Sequence, residues 1–255
     1  VMKAPMSIPR TDYSYDFQVA EANGKIYALG GRSSTGSIKS IEEYDPSLNK
    51  WISKVDMPES RCSFKSFVIN GKIYIIGGAT FDSGSSYLAI EVFDPKTNTC
   101  VTKATMKART DFDAVEVNGK IYIIGGCNNC LSTVEMYDPS SNSISSKAPL
   151  KSPTMDLQVV AIGNKIYAIG GNNGNSSQTY SIVEEYDIGT NSWTYKKSMK
   201  NPRYDFQAVV YGEKIYAFGG ANNGSIVTSV EEYDPSTDNW IDKQIMPTSR
   251  YEFET

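Results

Sequence analysis

Histidine is absent from the 255 residues. That absence excludes a Ser-His-Asp or Cys-His nucleophile, His-ligated zinc or copper, and an imidazole pH switch. Any chemistry must come from carboxylates, tyrosines, lysines and arginines. Cysteine is scarce, at four residues, and a chain of this length can bury about 75% of its unfolded surface without needing disulfides. No apolar run approaches the ~20 residues of a membrane-spanning helix. A strong positive balance is also missing: 25 Lys+Arg against 29 Asp+Glu give a net charge of −4, so nucleic acid, which demands a basic stripe, is not the expected partner. The chain starts at Val1 with no initiator Met or secretory leader. It reads as a piece of a larger multidomain protein, with no compartment legible.

What is present is a repeat. A Gly-Gly pair recurs at Gly30, Gly77, Gly125, Gly170 and Gly219, spaced 47, 48, 45 and 49 residues apart. Periods of this size belong to propellers or solenoids. Each pair follows the same run: Asn23-Gly24-Lys25-Ile26-Tyr27, Asn70-Gly71-Lys72-Ile73-Tyr74, Asn118-Gly119-Lys120-Ile121-Tyr122, and then versions opening on Gly163-Asn164 and Gly212-Glu213. Asn-Gly between apolar runs is the strongest short hairpin signal, because a type I′ turn needs positive φ at both central positions. Downstream lie Tyr44-Asp45-Pro46, Phe93-Asp94-Pro95, Tyr137-Asp138-Pro139, Tyr186-Asp187-Ile188 and Tyr233-Asp234-Pro235. Seven residues after each aromatic stands Trp51, Cys100, Ile144, Trp193 or Trp240. No segment holds a helical period, so each unit is expected to contain four short strands, a to d.

These motifs resemble the Kelch repeat, marked by the double glycine, the Tyr before it, the Tyr-Asp-Pro turn and the later Trp. The resemblance covers nearly the whole chain and implies an all-β Kelch-type β-propeller of four-stranded antiparallel blades around a central channel. The expected organisation is one propeller domain over 1–255, with repeats at about 15–61, 62–109, 110–154, 155–203 and 204–250. Residues 1–6 read as the end of a strand d and 250–255 as the start of a strand a. Either the ring closes on five blades, which is favoured, or the chain is part of a six-bladed ring.

Antiparallel strands put the a–b and c–d turns on one face and the b–c and d–a connections on the other. The c–d spacing never varies. The b–c span does: nine residues separate Gly31 from Ile41, eleven Gly78 from Ile90, seven Gly126 from Val134, eleven Gly171 from Val183 and nine Gly220 from Val230. Variable loops on a uniform scaffold are where recognition sits. The candidate contacts there are Phe81, Tyr87, Asn128, Asn129, Asn172, Asn173, Asn222 and Asn223. Taken singly, these amides are also ordinary turn residues.

Arginine is used sparingly, six against nineteen lysines. Arg10, Arg61, Arg109, Arg203 and Arg250 open the successive strand-a segments, and Arg32 begins a b–c loop. Choosing Arg over Lys points to a planar, multi-donor fork. One reading is an arginine ring that binds a carboxylate, a sulfate or an acidic peptide. The other is internal pairing with Glu42, Glu91, Glu135, Glu184 or Glu231. Thr154 replaces the arginine in the fourth repeat, although Glu184 remains. Strand a carries recurrent Asp beside Arg (Asp111, Asp156, Asp205), readable as an ion-pair belt or a polar funnel.

Cys127-x-x-Cys130 looks like half a zinc site, but Cys62 and Cys100 fall at opposite edges of a different blade, so no metal or other cofactor is expected. Cys100 is expected to fill a Trp slot as a small hydrophobe. The expected function is a non-catalytic recognition module that binds a protein segment or an acidic glycan on its b–c/d–a face. The alternative is a carbohydrate-active enzyme of sugar mutarotase or epimerase type, using a channel-mouth carboxylate with an Arg on the sugar's acid group. No acidic residue that breaks the repeat singles itself out as its catalyst.

Overall fold

The structure is a computed structural model that describes residues 2–10, 17–80, 86–128, 130–174 and 178–251. The chain divides into two compact units, Val1–Thr110 and Asp111–Thr255, between the second and third repeats. Every regular element among the described residues is a β-strand or hairpin.

The first unit holds two blades. Blade one comprises β1 (Gln18–Ala22), β2 (Lys25–Leu29), β5 (Ile41–Asp45) and β6 (Lys50–Ser53), with the small hairpin β3 (Arg32–Ser33) and β4 (Gly36–Ser37) inside its b–c loop. Blade two is β7 (Lys65–Ile69), β8 (Lys72–Ile76), β9 (Ala89–Asp94) and β10 (Thr99–Thr105). The second unit holds three blades. Blade three is β11 (Asp113–Val117), β12 (Lys120–Ile124), β13 (Val134–Asp138) and β14 (Ser143–Lys147). Blade four is β15 (Gln158–Ile162), β16 (Lys165–Ile169), β17 (Val183–Asp187) and β18 (Ser192–Lys196). Blade five is β19 (Gln207–Tyr211), β20 (Lys214–Phe218), β23 (Val230–Asp234) and β24 (Asn239–Lys243), with the hairpin β21 (Ala221–Asn222) and β22 (Ser225–Ile226) in its b–c loop. All the pairings are antiparallel, in the order a-b-c-d.

The a–b hairpins turn as their residues demand. Asn23 and Gly24 sit at φ 55° and 74°, and Gly212 and Glu213 at 57° and 60°. The b strands are buried almost end to end. Each core lies between adjacent blades. In the first unit Tyr27, Leu29 and Phe64 pack with Ile73, Ile75 and Phe93. In the second, Tyr122, Val159, Ile166, Tyr186 and Trp193 form one cluster, and Tyr167, Phe206, Ile215, Tyr233 and Trp240 another. The Tyr of strand c faces the Trp of strand d directly across the ladder, as in Tyr186 and Trp193, whose ring centroids are 5.0 Å apart. Cys100 takes that place opposite Phe93, and burial pushes its thiol pKa up to about 12.

Adjacent blades are also joined by hydrogen bonds from the end of one strand d to the next c–d turn. The Ala148 N–H donates to Asn191 Oδ1 at 3.0 Å, and Trp193 Nε1 donates to the Ala148 carbonyl at 2.8 Å. Lys197 meets Asp238 and Trp240 in the same way. Ala4, near the start of the chain, meets Asn49 and Trp51 identically.

One expectation is corrected. Asp111, Asp156 and Asp205 stand before their strands, not in them, at φ 54°, 55° and 50°. What links them is main chain: the Asp156 N–H donates to the Asp111 carbonyl at 3.0 Å, and that of Asp205 to the Asp156 carbonyl at 3.4 Å. A short carboxylate that tolerates the left-handed region suits such a turn. Of the strand-a carboxylates, Asp113 is buried and accepts the Val159 N–H of the next blade at 2.7 Å.

Candidate functional site

Of the arginines that open the repeats, Arg10, Arg61, Arg109 and Arg203 have buried side chains, whereas Arg250 is exposed. Arg61, Arg109 and Arg203 have no exposed surface. Arg61 donates from Nη2 to Glu91 Oε1 at 2.5 Å and from Nη1 to the Gly77 carbonyl at 3.0 Å. Arg203 does the same to Glu231 at 2.6 Å and Gly219 at 3.0 Å, and adds Ser229 Oγ at 2.8 Å. Arg10 repeats the pattern with Glu42 at 3.0 Å and the Gly30 carbonyl. Burial pulls the pKa of Arg61 and Arg203 down, and the facing glutamate opposes that pull. Burial likewise raises Glu91, against the effect of Arg61. A planar fork is needed because one guanidinium must bridge strand c and the double glycine of strand b. Arg10, Arg61 and Arg203 therefore serve as internal braces, while Arg250 is left exposed and Arg32 half-buried. The main chain at the same residues ties the blade to its predecessor: Gly31 N–H donates to the Arg61 carbonyl at 2.8 Å, and Gly171 N–H to that of Arg203 at 2.9 Å.

The loop candidates divide. Asn172 is 3% exposed and builds its own turn, donating to Asp156 Oδ2 at 2.8 Å and accepting the Gly174 N–H at 2.7 Å. Asn173 is half-buried and bonded to Gln178. Tyr87 is half-buried, with the Arg61 guanidinium 4.6 Å from its ring centre. Arg32 and Asn222 are half-buried in β3 and β21. Asn128, Asn223 and Arg250 are exposed, and the Asn223 N–H donates to Thr179 Oγ1 of the neighbouring b–c loop at 3.2 Å. Phe81 and Asn129 lie outside the described residues.

In the second unit these loops enclose a cavity of about 300 Å³, lined by Tyr204, Asp205, Ala221, Gly224, Ile226 and Tyr251. Ile226 and Tyr251 are each 47% exposed. The space is at the lower end of small-ligand pockets. Only Ala221, Gly224 and Ile226 fall within a loop singled out by sequence. Its tyrosines were nevertheless marked: the residue after the repeat's arginine is Tyr only at Tyr204 and Tyr251, whereas Cys62, Thr110 and Met155 stand at that place elsewhere. All four cysteines are free thiols, and no group of three or more metal-ligating side chains occurs among the described residues.

Five four-stranded antiparallel blades define a β-propeller. The Kelch motif matches residues 14–58 and 60–107, and the KLHDC2/KLHL20/DRC7 Kelch-repeats domain matches 111–253, more than half of the chain. The chain belongs to the Kelch-repeat family, whose propellers typically serve as protein-interaction modules. It is 29% identical over 159 residues to Kelch-like protein 35 of Mus musculus, covering 62% of this chain and 27% of that protein. Kelch-like protein 26 of Danio rerio is 29% identical over 166 residues, with the same coverage. F-box/kelch-repeat protein At1g67480 of Arabidopsis thaliana is 41% identical over 78 residues, 29% of this chain and 20% of that protein. The chain thus spans about a quarter of the length of the first two relatives. Among solved structures, that of YjhT superposes with a TM-score of 0.74 at 19% identity, covering 96% of this chain and 88% of the other, a likeness of fold.

Proposed function

We propose that this chain is a recognition module that holds a segment of a partner protein on the face made by its b–c loops and d–a connections. The contrast between the two faces carries the reading. Four of the five c–d turns close on themselves in one way, the Tyr hydroxyl donating to the residue five further on in Tyr44–Asn49, Tyr137–Asn142, Tyr186–Asn191 and Tyr233–Asp238. The b–c loops differ in length, in hairpin content and in exposed side chains. Tyr204, Tyr251 and Asp205 offer two aromatic rings and a carboxylate, a combination that suits a cationic side chain. A net charge of −4 favours the same kind of partner. Binding is favoured over turnover because Arg10, Arg61 and Arg203, which would hold a sugar acid, are taken up within the blades.

The test is a peptide array of varied charge run beside a glycan array that includes sialylated and sulfated sugars. Basic peptides should bind. Asp205→Asn, which keeps a residue tolerant of the left-handed turn, and Tyr251→Ala should each weaken binding about tenfold, or about 1.4 kcal/mol. Leu48→Asp, on an exposed c–d turn, should change nothing. Binding confined to acidic glycans and lost in Arg250→Ala would replace the protein reading with a lectin one. Equal loss from the c–d substitution would refute the assignment of the face.

A further inference from the structure

The fourth blade breaks the brace, and the break leaves a charged vacancy. In blade five the Glu231 carboxylate accepts four donors: the Lys200 N–H at 2.7 Å, the Asn201 N–H at 3.1 Å, Asn201 Nδ2 at 3.0 Å and the Arg203 guanidinium at 2.6 Å. Blade four keeps the first two. Glu184 accepts the Lys151 N–H at 2.8 Å and the Ser152 N–H at 2.9 Å, and the Ser152 hydroxyl also bonds to it. The guanidinium is gone, because Thr154 stands in its place. The main-chain donors are common to braced and unbraced blades, so they do not substitute for the cation. Thr154 Oγ1 reaches the Gly170 carbonyl at 3.3 Å and the Met155 carbonyl at 3.4 Å, where Arg203 Nη1 reaches Gly219 at 3.0 Å.

Glu184 is 2% exposed, and among the described residues no ion pair closes on it. Lys151, whose charge acts on it from further off, places its Nζ 5.3 Å from the centre of the Tyr195 ring. Between Glu184, Thr154 and Gly170 a cavity of about 10 Å³ remains, walled also by Leu150, Ser152, Ala168, Tyr180 and Ile182. That volume admits the centre of one water-sized guest. Ser152 and Tyr180, both half-exposed, belong to the d–a and b–c segments. A buried carboxylate without a counter-charge is costly, and the acceptors around this one are those that hold a cation in the sister blades.

We propose that the space between Glu184, Thr154 and the Gly170 carbonyl is a binding site for a water-sized monovalent cation, ammonium or potassium. Ammonium would donate to the carboxylate, the carbonyl and the threonine oxygen, replacing the missing fork with a tetrahedral donor. The same head group could arrive free in solution or on the stem of a partner's lysine.

Thermal unfolding of the whole chain tests the site, with choline chloride exchanged for ammonium or potassium chloride at constant ionic strength and pH 7.5. A saturable rise in Tm is expected, because a ligand bound only by the folded state stabilises it by mass action. The rise should vanish in Glu184→Gln, and in Thr154→Arg, which fills the space with its own guanidinium and should start from a higher Tm. If Thr154→Arg does not fold, Glu184→Gln decides alone. Methylammonium separates the sources: a response equal to that of ammonium means the mouth admits a lysine head, and none means a free ion. Wild type that responds no more than Glu184→Gln overturns the proposal and leaves the space to water or to a protonated Glu184.

Discussion

At the scale of single residues the arginines carry the most information. The sequence offered two roles for them, and burial decides between the two. Pairing of Arg61 with Glu91 and of Arg203 with Glu231 was legible as an alternative, because arginine and glutamate recur in phase. What the period does not encode is depth: an arginine at a strand entrance looks the same whether it faces water or the blade. Removing one partner of a buried pair leaves the other charge stranded, at about 3–5 kcal/mol. Arg203→Met should therefore lose that much stability in urea unfolding. Arg203→Met combined with Glu231→Leu should recover most of it, since an apolar replacement of the whole pair is often neutral or stabilising. Equal losses in the single and double variants would mean that the packing of the arginine stem, and not its charge, braces the blade.

At the scale of elements, strand order and turn type followed from the repeat itself. Double glycines, Asn-Gly hairpins and Tyr–Trp pairs each specify a local geometry, the first in all five repeats and the other two in three each. The glycines are needed sterically. A Cβ on Gly171, at φ 89°, would lie 2.4 Å from the Met155 carbonyl oxygen. The cavity at Tyr204 and Tyr251 was harder to see, because its walls come from segments at opposite ends of one blade and each tyrosine looks local. Blade five also departs from the others at its a–b hairpin, where Glu213 occupies φ 60°. A non-glycine residue pays about 1–2 kcal/mol there. Glu213→Gly should raise stability by about 1 kcal/mol, measured by the denaturation midpoint, and an unchanged midpoint would show that the side chain compensates locally.

At the scale of the molecule, the acid limb of stability should reflect the outer carboxylates more than the inner ones. Ser140 and Lys120 hold Asp138 down at about 2, and Lys214 and Lys243 hold Glu232 at about 2. A group depressed on folding contributes above its unfolded pKa and loses that contribution as pH falls through the folded value. These two should therefore cost stability as pH drops from about 4.5 towards about 2. Glu184, raised by burial, works the other way: its contribution is largest in acid and is lost as pH climbs through its folded pKa. Asp138→Asn should flatten the slope of Tm against pH below 4 without changing its sign near neutrality, and a slope identical to wild type would assign acid unfolding to other groups.

The bonds from Ala148 to Asn191 and Trp193, and from Lys197 to Asp238 and Trp240, overlap their neighbours like roof tiles, each unit pinned by the one laid after it. A tile so fixed has a direction. Loosening Trp240 would free the trailing edge of blade four while the indole's own sheet kept its internal ladder. Because the overlaps at Trp193 and Trp240 are cut to one pattern, a tile duplicated within that row would meet its new neighbour through the same pin, without a new joint being invented.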